Sequence, residues 1–350
     1  MSALDAFDGW PGVLATLLAG DDLTEAAAAA AMSTILAGEA TPAQIAAFVV
    51  ALRAKGETAS ELRGLVRAAL DASTAVPLTE SEQARAIDVV GTGGDGTSSV
   101  NVSTMAALVV AGAGVPVCKH GNRSASSRCG TADVLEALGV AIEQSGPGVA
   151  ACVREAGIGF CLAPAFHPAF RHAGPPRRDL GIPTVFNLIG PMANPGRVRR
   201  QLIGVADPRF AGPMIETLRT QGLRAAWIAH GDGFDELTTT GVSHVHELRD
   251  DEVRSFTIDA RELGLAPATA ADLRGGGPDE NAETARRVLG GATGPHRDIV
   301  VLNAGAALVV AGRADDVASG IAVAQAAIDD GRAAAALDAL VRTSRAQASA

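Results

Sequence analysis

The stretch DVVGTGGDGTSSVNVST, residues 88–104, limits the fold of this chain more than any other. A short apolar run enters a loop with Gly91, Gly93, Gly94 and Gly96, and small hydroxyl and amide residues follow before an apolar helical pattern begins. Strand, glycine loop and helix in that order begin a parallel α/β unit, whose ligands sit beyond the carboxyl ends of the strands. Two phosphate-site patterns overlap here, and each fails one requirement. GxGxxG needs a carboxylate about 20 positions on for the ribose hydroxyls, but that window reads AGAGVPVCKH. A Walker loop needs Lys after its last glycine, and Thr97 stands there. The loop therefore reads as an anion site of another type, with Ser98, Ser99, Asn101, Ser103 and Thr104 supplying donors at a helix N-terminus. A flexible linker ending in an N-cap serine is the plainer alternative.

Upstream the pattern is helical only. TPAQIAAFVVALRAKG carries Thr41 as N-cap, Pro42 at the first helical position, Gln44 closing a capping box and Gly56 as the stop. TASELRGLVRAALDAS repeats the device with Thr58 and Glu61, and the Ala-dense LTEAAAAAAMSTILAGE allows close helix packing. TAVPLTESEQ reads as a linker. From residue 86 short strands alternate with helices: strand AIDVV, helix MAALVVAGAG, strand VPVCKH, helix TADVLEALG, then strands at AAWIAH and DIVVLN, with VRSFTIDARELG as an edge strand of either direction. The expected fold is α/β: a helical bundle over residues 1–80 and a larger domain over 81–350, its mostly parallel central sheet flanked by helices, with 166–200 as the crossover between domains.

Apolar residues form 47% of the 350 and charged residues 19%, a globular composition. A net charge of -10 argues against a general nucleic-acid binder, whose affinity depends on Lys and Arg neutralising phosphates. The acidic N-terminal stretch is unlike a secretory signal and no long uninterrupted apolar run is present, so a cytoplasmic protein without a membrane span is expected. Cys118, Cys129, Cys152 and Cys161 have no metal or redox spacing and read as buried thiols.

Three further segments carry chemistry. KHGNRSASSRCGTADVLEALG, residues 119–139, places Lys119, His120, Asn122, Arg123 and Arg128 with three serines in a second strand-to-helix loop. Two anion-directed loops in one sheet point to a ligand with more than one phosphate. A solvated basic loop explains the charges but not the small donors clustered beside them. HGDGFDELTTTG sets Asp235 next to Glu236 after the strand AAWIAH, hard oxygen donors suited to Mg2+ bound together with substrate phosphates; solvated loop carboxylates are the alternative. FHPAFRHAGPPRRDLGIPTVFNLIGPMANPG is rich in Pro and in the cations His167, Arg171, His172, Arg177 and Arg178; it reads either as a stiffened connection or as the source of an arginine fork for a substrate carboxylate.

In this order, GTGGDGTSSVNVST, KHGNRSASSRCGTADVLEALG, HPAFRHAGPPRRDLGIPTVFNLIGPMANP and GFDELT resemble the anthranilate phosphoribosyltransferase family over nearly the whole chain. The resemblance implies transfer of the phosphoribosyl group of phosphoribosyl pyrophosphate to the amine of anthranilate, with Mg2+. It implies that Gly91, Gly94, Asp95, Ser99, Asn101, Val102, Ser103 and Thr104 surround the pyrophosphate, with Ser103 also near a metal. It puts Lys119, His120, Gly121, Asn122, Arg123, Ser124, Ala125, Ser126, Ser127 and Thr131 around the rest of the donor, Asn122 and Arg177 on anthranilate, and Asp235 and Glu236 on two Mg2+ ions. Arg128 stands where Lys is usual in such loops and Cys129 where a small polar residue is commoner. No acid–base pair is expected, because a neutral aryl amine attacks without first losing a proton; Lys119, Asp235 and Glu236 have orienting and electrostatic roles. A homodimer through the helical domain is implied as well. Two other readings are a pyrimidine nucleoside phosphorylase, which needs no Mg2+, and a nucleic-acid-binding relative without activity; the intact KHGN and DE motifs and the acidic charge speak against the second.

Overall fold

The computed structural model describes residues 3–124 and 128–348. The first helices are α1 (Gly9–Leu18), α2 (Glu25–Leu36), α3 (Pro42–Lys55) and α4 (Ala59–Asp71). Both expected capping boxes form: Thr41 with Gln44 opens α3 and Thr58 with Glu61 opens α4, and α3 stops at Gly56. Part of the expected linker is instead helix α5 (Glu80–Arg85), opened by a third capping box between Thr79 and Glu82.

The remaining elements are β1 (Ile87–Gly91), α6 (Val102–Gly112), β2 (Val117–Gly121), α7 (Thr131–Ala137), α8 (Gly146–Ala156) and β3 (Ile158–Leu162). Then come α9 (Ala163–Phe166), α10 (Gly174–Leu180), α11 (Val185–Met192), β4 (Arg200–Gly204), α12 (Ala211–Thr220), β5 (Ala225–Gly231), β6 (Val242–Arg249) and β7 (Glu252–Asp259). Helices α13 (Pro278–Leu289), α14 (Pro295–Val310), α15 (Val317–Asp329) and α16 (Arg332–Ala348) close the chain.

Among the described residues the strands form one seven-stranded sheet in the order β3-β2-β1-β4-β5-β6-β7. The first five strands are parallel, while β6 and β7 add an antiparallel edge. Strand order runs one way from β1 to β3 and the other way from β4 to β7, so the chain reverses between the neighbours β1 and β4. Loops leaving the carboxyl ends on either side of that point part toward opposite faces and open a crevice.

The two faces bury different layers. Ile87, Val89, Leu202 and Trp227 pack with α6, α13, α14, α15 and α16, whereas Val90, Ile203 and Ile228 pack with α1 to α4, α11 and α12. The N-terminal helices thus share one core with residues 185–218 and the sheet. DIVVLN, expected as a strand, lies inside α14. Most of α14 is buried, from Ile299 to Val310 without a break, and a helix enclosed on all sides shows the same continuous apolar run as a buried strand. AAWIAH does form a strand, and the ambiguous edge strand is β7, antiparallel. Among the described residues no helix is long and apolar enough to cross a membrane.

Candidate active site

A cleft of about 330 Å³ lies beyond the carboxyl ends of β1, β2 and β5. Its floor is the loop after β1, which turns through left-handed backbone at Gly93, Gly94 and Gly96. The Phe234–Leu237 segment folds over the strand ends so closely that it requires glycine beneath it. A Cβ on Gly91 would lie 2.3 Å from Asp235 Oδ2, and one on Gly204 would lie 1.5 Å from the Asp235 carbonyl oxygen. Gly93 N–H donates to Asp235 Oδ2 at 2.7 Å, and Ser103 N–H donates to Glu236 Oε1 at 3.2 Å. The first loop and the carboxylate pair are therefore one hydrogen-bonded unit.

The charges are confined in this unit. Burial, with Glu236 and Asp95 alongside, raises the Asp235 carboxyl well above the usual carboxylate range. Burial likewise pushes Glu236 up to about 8, Asp95 adding to the effect and the Lys119 ammonium opposing it. Lys119 is 1% exposed and donates to the Val89 carbonyl and, at 3.3 Å, to Ser103 Oγ; burial lowers its pKa. Lys119 and Thr104 thus sit behind the cleft surface, unlike the other described residues expected around the substrates. Among the described residues, three or more His, Cys, Asp or Glu side chains never gather into a closed cage. Two half-buried carboxylates on the cleft surface with a hydroxyl nearby fit Mg2+, which takes few protein ligands and completes its shell with phosphate oxygens and water.

The second loop, after β2, is tied down by Asp133, whose Oδ2 accepts the N–H groups of Ser124 and Gly130, each at 2.9 Å. Arg123 is engaged by Asp133 at 3.1 Å and Glu136 at 2.8 Å, so its charge is already paired beside the cleft. Ala125, Ser126 and Ser127 lie outside the described residues. Asn122 and Thr131 line the cleft, as do Gly91, Gly94, Asp95, Ser99, Asn101, Val102, Ser103, His120 and Gly121. Asn101 is held from behind by Asn281, which donates to its Oδ1 at 2.8 Å and accepts from Gly276 N–H at 2.7 Å. Nothing in the spacing of the two asparagines, 180 positions apart, discloses that support.

The opposite wall is aromatic. His167 lies 5.1 Å from His120 and 5.1 Å from Phe170, Phe170 meets Phe186 edge-on at 5.6 Å, and the Arg177 guanidinium lies 5.0 Å over the Phe186 ring. All five line the cleft. His120 Nδ1 is 3.1 Å from the Gly190 carbonyl; a carbonyl only accepts, so Nδ1 carries the hydrogen and the buried Nε2 is an acceptor without a protein partner among the described residues. Burial, then the neighbouring His167, pushes His120 down to about 3. Of this wall the sequence marked His120 and Arg177 as substrate contacts; Phe170, Phe186 and His167 were visible only as parts of a Pro-rich, cationic segment.

The glycosyl transferase family helical bundle domain matches residues 11–73, and the glycosyl transferase family a/b domain matches residues 83–334. An anthranilate phosphoribosyltransferase of Mesorhizobium japonicum is 50% identical over 331 residues, 95% of this chain and 97% of that protein. The chain belongs to the anthranilate phosphoribosyltransferase family. The crystal structure of the Thermus thermophilus family member superposes with a TM-score of 0.89 at 40% identity, covering 95% of this chain and 99% of that one. The Saccharomyces cerevisiae family member, in complex with PRPP and Mg, superposes with a TM-score of 0.88 at 26% identity, covering 96% and 98%.

Proposed function

We propose that this cleft transfers the 5-phosphoribosyl group of phosphoribosyl pyrophosphate to the amine of anthranilate, releasing pyrophosphate. One observation carries the reading: a glycine and hydroxyl floor with a half-buried carboxylate pair shares one cleft with an aromatic wall rimmed by an arginine. The first is chemistry for a phosphorylated donor and the second for a flat aromatic acid. Membership of the family supports both assignments.

In this reading the loop after β1 and Ser99 to Thr104 hold the pyrophosphate, and the loop after β2 holds the ribosyl phosphate. Asp235 and Glu236, with Ser103 nearby, would hold two Mg2+ ions. Bound Mg2+ supplies charge neutralisation for the departing pyrophosphate. Anthranilate lies against Phe170 and Phe186, its carboxylate paired with Arg177 and its amine donating to His120 Nε2. The Arg177 guanidinium is partly desolvated and stacked, so a substrate carboxylate gains a preorganised partner. An imidazole with a pKa near 3 is too weak a base to keep the amine's proton, so His120 orients the nucleophile. Displacement at the anomeric carbon then proceeds through positioning and electrostatic stabilisation, with no protein nucleophile: the C–N bond forms as the C–O bond to pyrophosphate breaks, and the acidic arylammonium so formed releases its proton to pyrophosphate or water.

A homodimer belongs to the same reading: Leu18 of α1 is 80% exposed and Val50 of α3 is 40% exposed, apolar surface that a second copy would cover. A cytoplasmic location is likewise proposed. The test is loss of anthranilate fluorescence on adding phosphoribosyl pyrophosphate, with Mg2+ and again with excess EDTA. Loss with metal and none with chelator is expected. Absence of loss under both conditions from folded protein would reject the transferase reading.

A further inference from the structure

We propose that a second cleft, at the amino-terminal edge of the sheet and away from the catalytic one, binds a small apolar α-amino acid. The cleft encloses about 310 Å³, the low end of the range for ligand pockets. It lies where the end of α4, the end of α12 and the chain entering β4 converge.

Its charge is unevenly satisfied. Arg63 and Arg67 share Glu25, at 3.1 Å and 2.5 Å. Arg197 and Arg199 have no carboxylate partner among the described residues; they donate only to the Leu70 carbonyl at 3.2 Å and the Gly222 carbonyl at 3.1 Å. Arg197 also holds φ at 50°, left-handed backbone that is costly for a side chain with a Cβ. Such strain persists where the surrounding structure enforces it, and here it puts a guanidinium on the rim of the cleft.

A second feature is independent of the arginines. Gln201 lines the cleft and is 2% exposed; its Nε2 donates to the Pro191 carbonyl at 3.3 Å, but its Oε1 has no partner among the described residues. A buried carbonyl oxygen left unmet costs free energy and calls for a donor. Gln221 Nε2, on the same cleft, is a buried donor without a partner among the described residues. The remaining lining is Asp71 on the rim, the polar Asn194 and Thr220, and the apolar side chains of Leu70, Met192, Val198 and Leu223.

This mixture selects a ligand class. Inorganic phosphate would satisfy the arginines, and its P–OH could reach one acceptor, but it is repelled by Asp71 and offers nothing to the apolar side chains. An α-amino acid brings a carboxylate for Arg197 and Arg199, an ammonium for Gln201 Oε1 and Asp71, and, when its side chain is apolar, a surface for Leu70 and Met192.

The test is calorimetric titration of the full chain with L-leucine, L-methionine, L-phenylalanine and L-tryptophan, and separately with inorganic phosphate. Binding of at least one amino acid is expected. Arg197→Gly combined with Arg199→Ala should weaken it by at least about tenfold, the scale of losing a hydrogen-bonded charge. Arg197→Gly suits the left-handed backbone, so unchanged thermal stability of that variant separates lost binding from misfolding. Asp71→Asn, at an exposed helix end, is the second variant and should also weaken binding. Arg177→Ala should leave it intact, which separates this cleft from the aromatic wall of the catalytic one. No heat from any of the four amino acids, binding indifferent to the Arg197 and Arg199 changes, binding lost with Arg177→Ala, or phosphate alone binding would each overturn the proposal.

Discussion

The two walls of the catalytic cleft differ in what holds them. The phosphate-facing wall is backbone and buried charge: glycines at strand ends, N–H groups aimed at carboxylates, and an ammonium sealed behind Ser103. The facing wall consists mainly of side chains carried by short helical segments between residues 163 and 192, where His167 stacks on Phe170 and Phe170 meets Phe186 edge-on. In the proposed reading the first kind of wall must be rigid, because it would meet charge that develops during reaction, and preorganised dipoles cost no reorganisation at that moment. The second, in the proposed reading, would bind a flat neutral ring and one carboxylate whose charge changes little. Damage to the first should therefore appear in turnover, and damage to the second in acceptor affinity.

Glu236→Gln should break the first wall most severely. It keeps the shape but cannot become the carboxylate that a bound Mg2+ would draw from Glu236, so about 3 kcal/mol of transition-state stabilisation, roughly a hundredfold in kcat, is expected to be lost. Steady-state kinetics at saturating Mg2+ measure this, and a wild-type kcat would sink the metal assignment. Gly91→Ala comes next. The added methyl would stand 2.3 Å from Asp235 Oδ2, so the carboxylate must move. A misplaced orienting group costs up to about a hundredfold in rate, so kcat is expected to fall roughly tenfold to a hundredfold while the KM for anthranilate stays within about twofold. A large rise in that KM instead would show that the two walls are not separate in function.

The same contrast explains what could be read from the residues alone. Backbone demands leave local marks: a loop that must approach Asp235 needs Gly91, a helix start needs Thr41 with Gln44, and a phosphate site needs small donors ahead of a helix. The glycine loop after β1 and the capped start of α3 fell where expected, as did β1, β2, β5 and β7. Contacts between distant side chains leave no such mark. Phe170 and Phe186 are far apart along the chain and meet only because the short helices between them fold back, and Asn281 supports Asn101 across 180 positions. The strands β3, β4 and β6 were missed because five to eight residues inside an Ala- and Gly-rich background offer little periodicity, and α14 was mistaken for a strand because its burial is complete.

Arg177→Ala sharpens the second wall. The guanidinium lies over Phe186 and is half-hidden from water, so removing it deletes a charge-assisted contact worth about 1.5 kcal/mol. The KM for anthranilate is expected to rise about tenfold, with the KM for phosphoribosyl pyrophosphate nearly unchanged. The reverse pattern in the same assay would refute the carboxylate fork.

The smallest expected effect is an absence. His120 belongs to both walls, its backbone N–H bonded to Asp88 and its ring facing His167. An exposed imidazole with a pKa near 6.5 would be about three-quarters protonated at pH 6 and almost wholly neutral at pH 8. Its Nε2 would then lose its lone pair as pH falls, and the KM for anthranilate would climb about fourfold. Burial puts the folded value near 3, so the ring stays neutral across this range and the KM should be flat from pH 6 to 8, where the substrate carboxylate is already ionised. Turnover may be judged separately, since the carboxylates of the first wall titrate on their own terms. A KM that rises toward pH 6 in the wild type, and ceases to do so in His120→Asn, would mean that the imidazole is charged and that water reaches a ring the packing has otherwise enclosed.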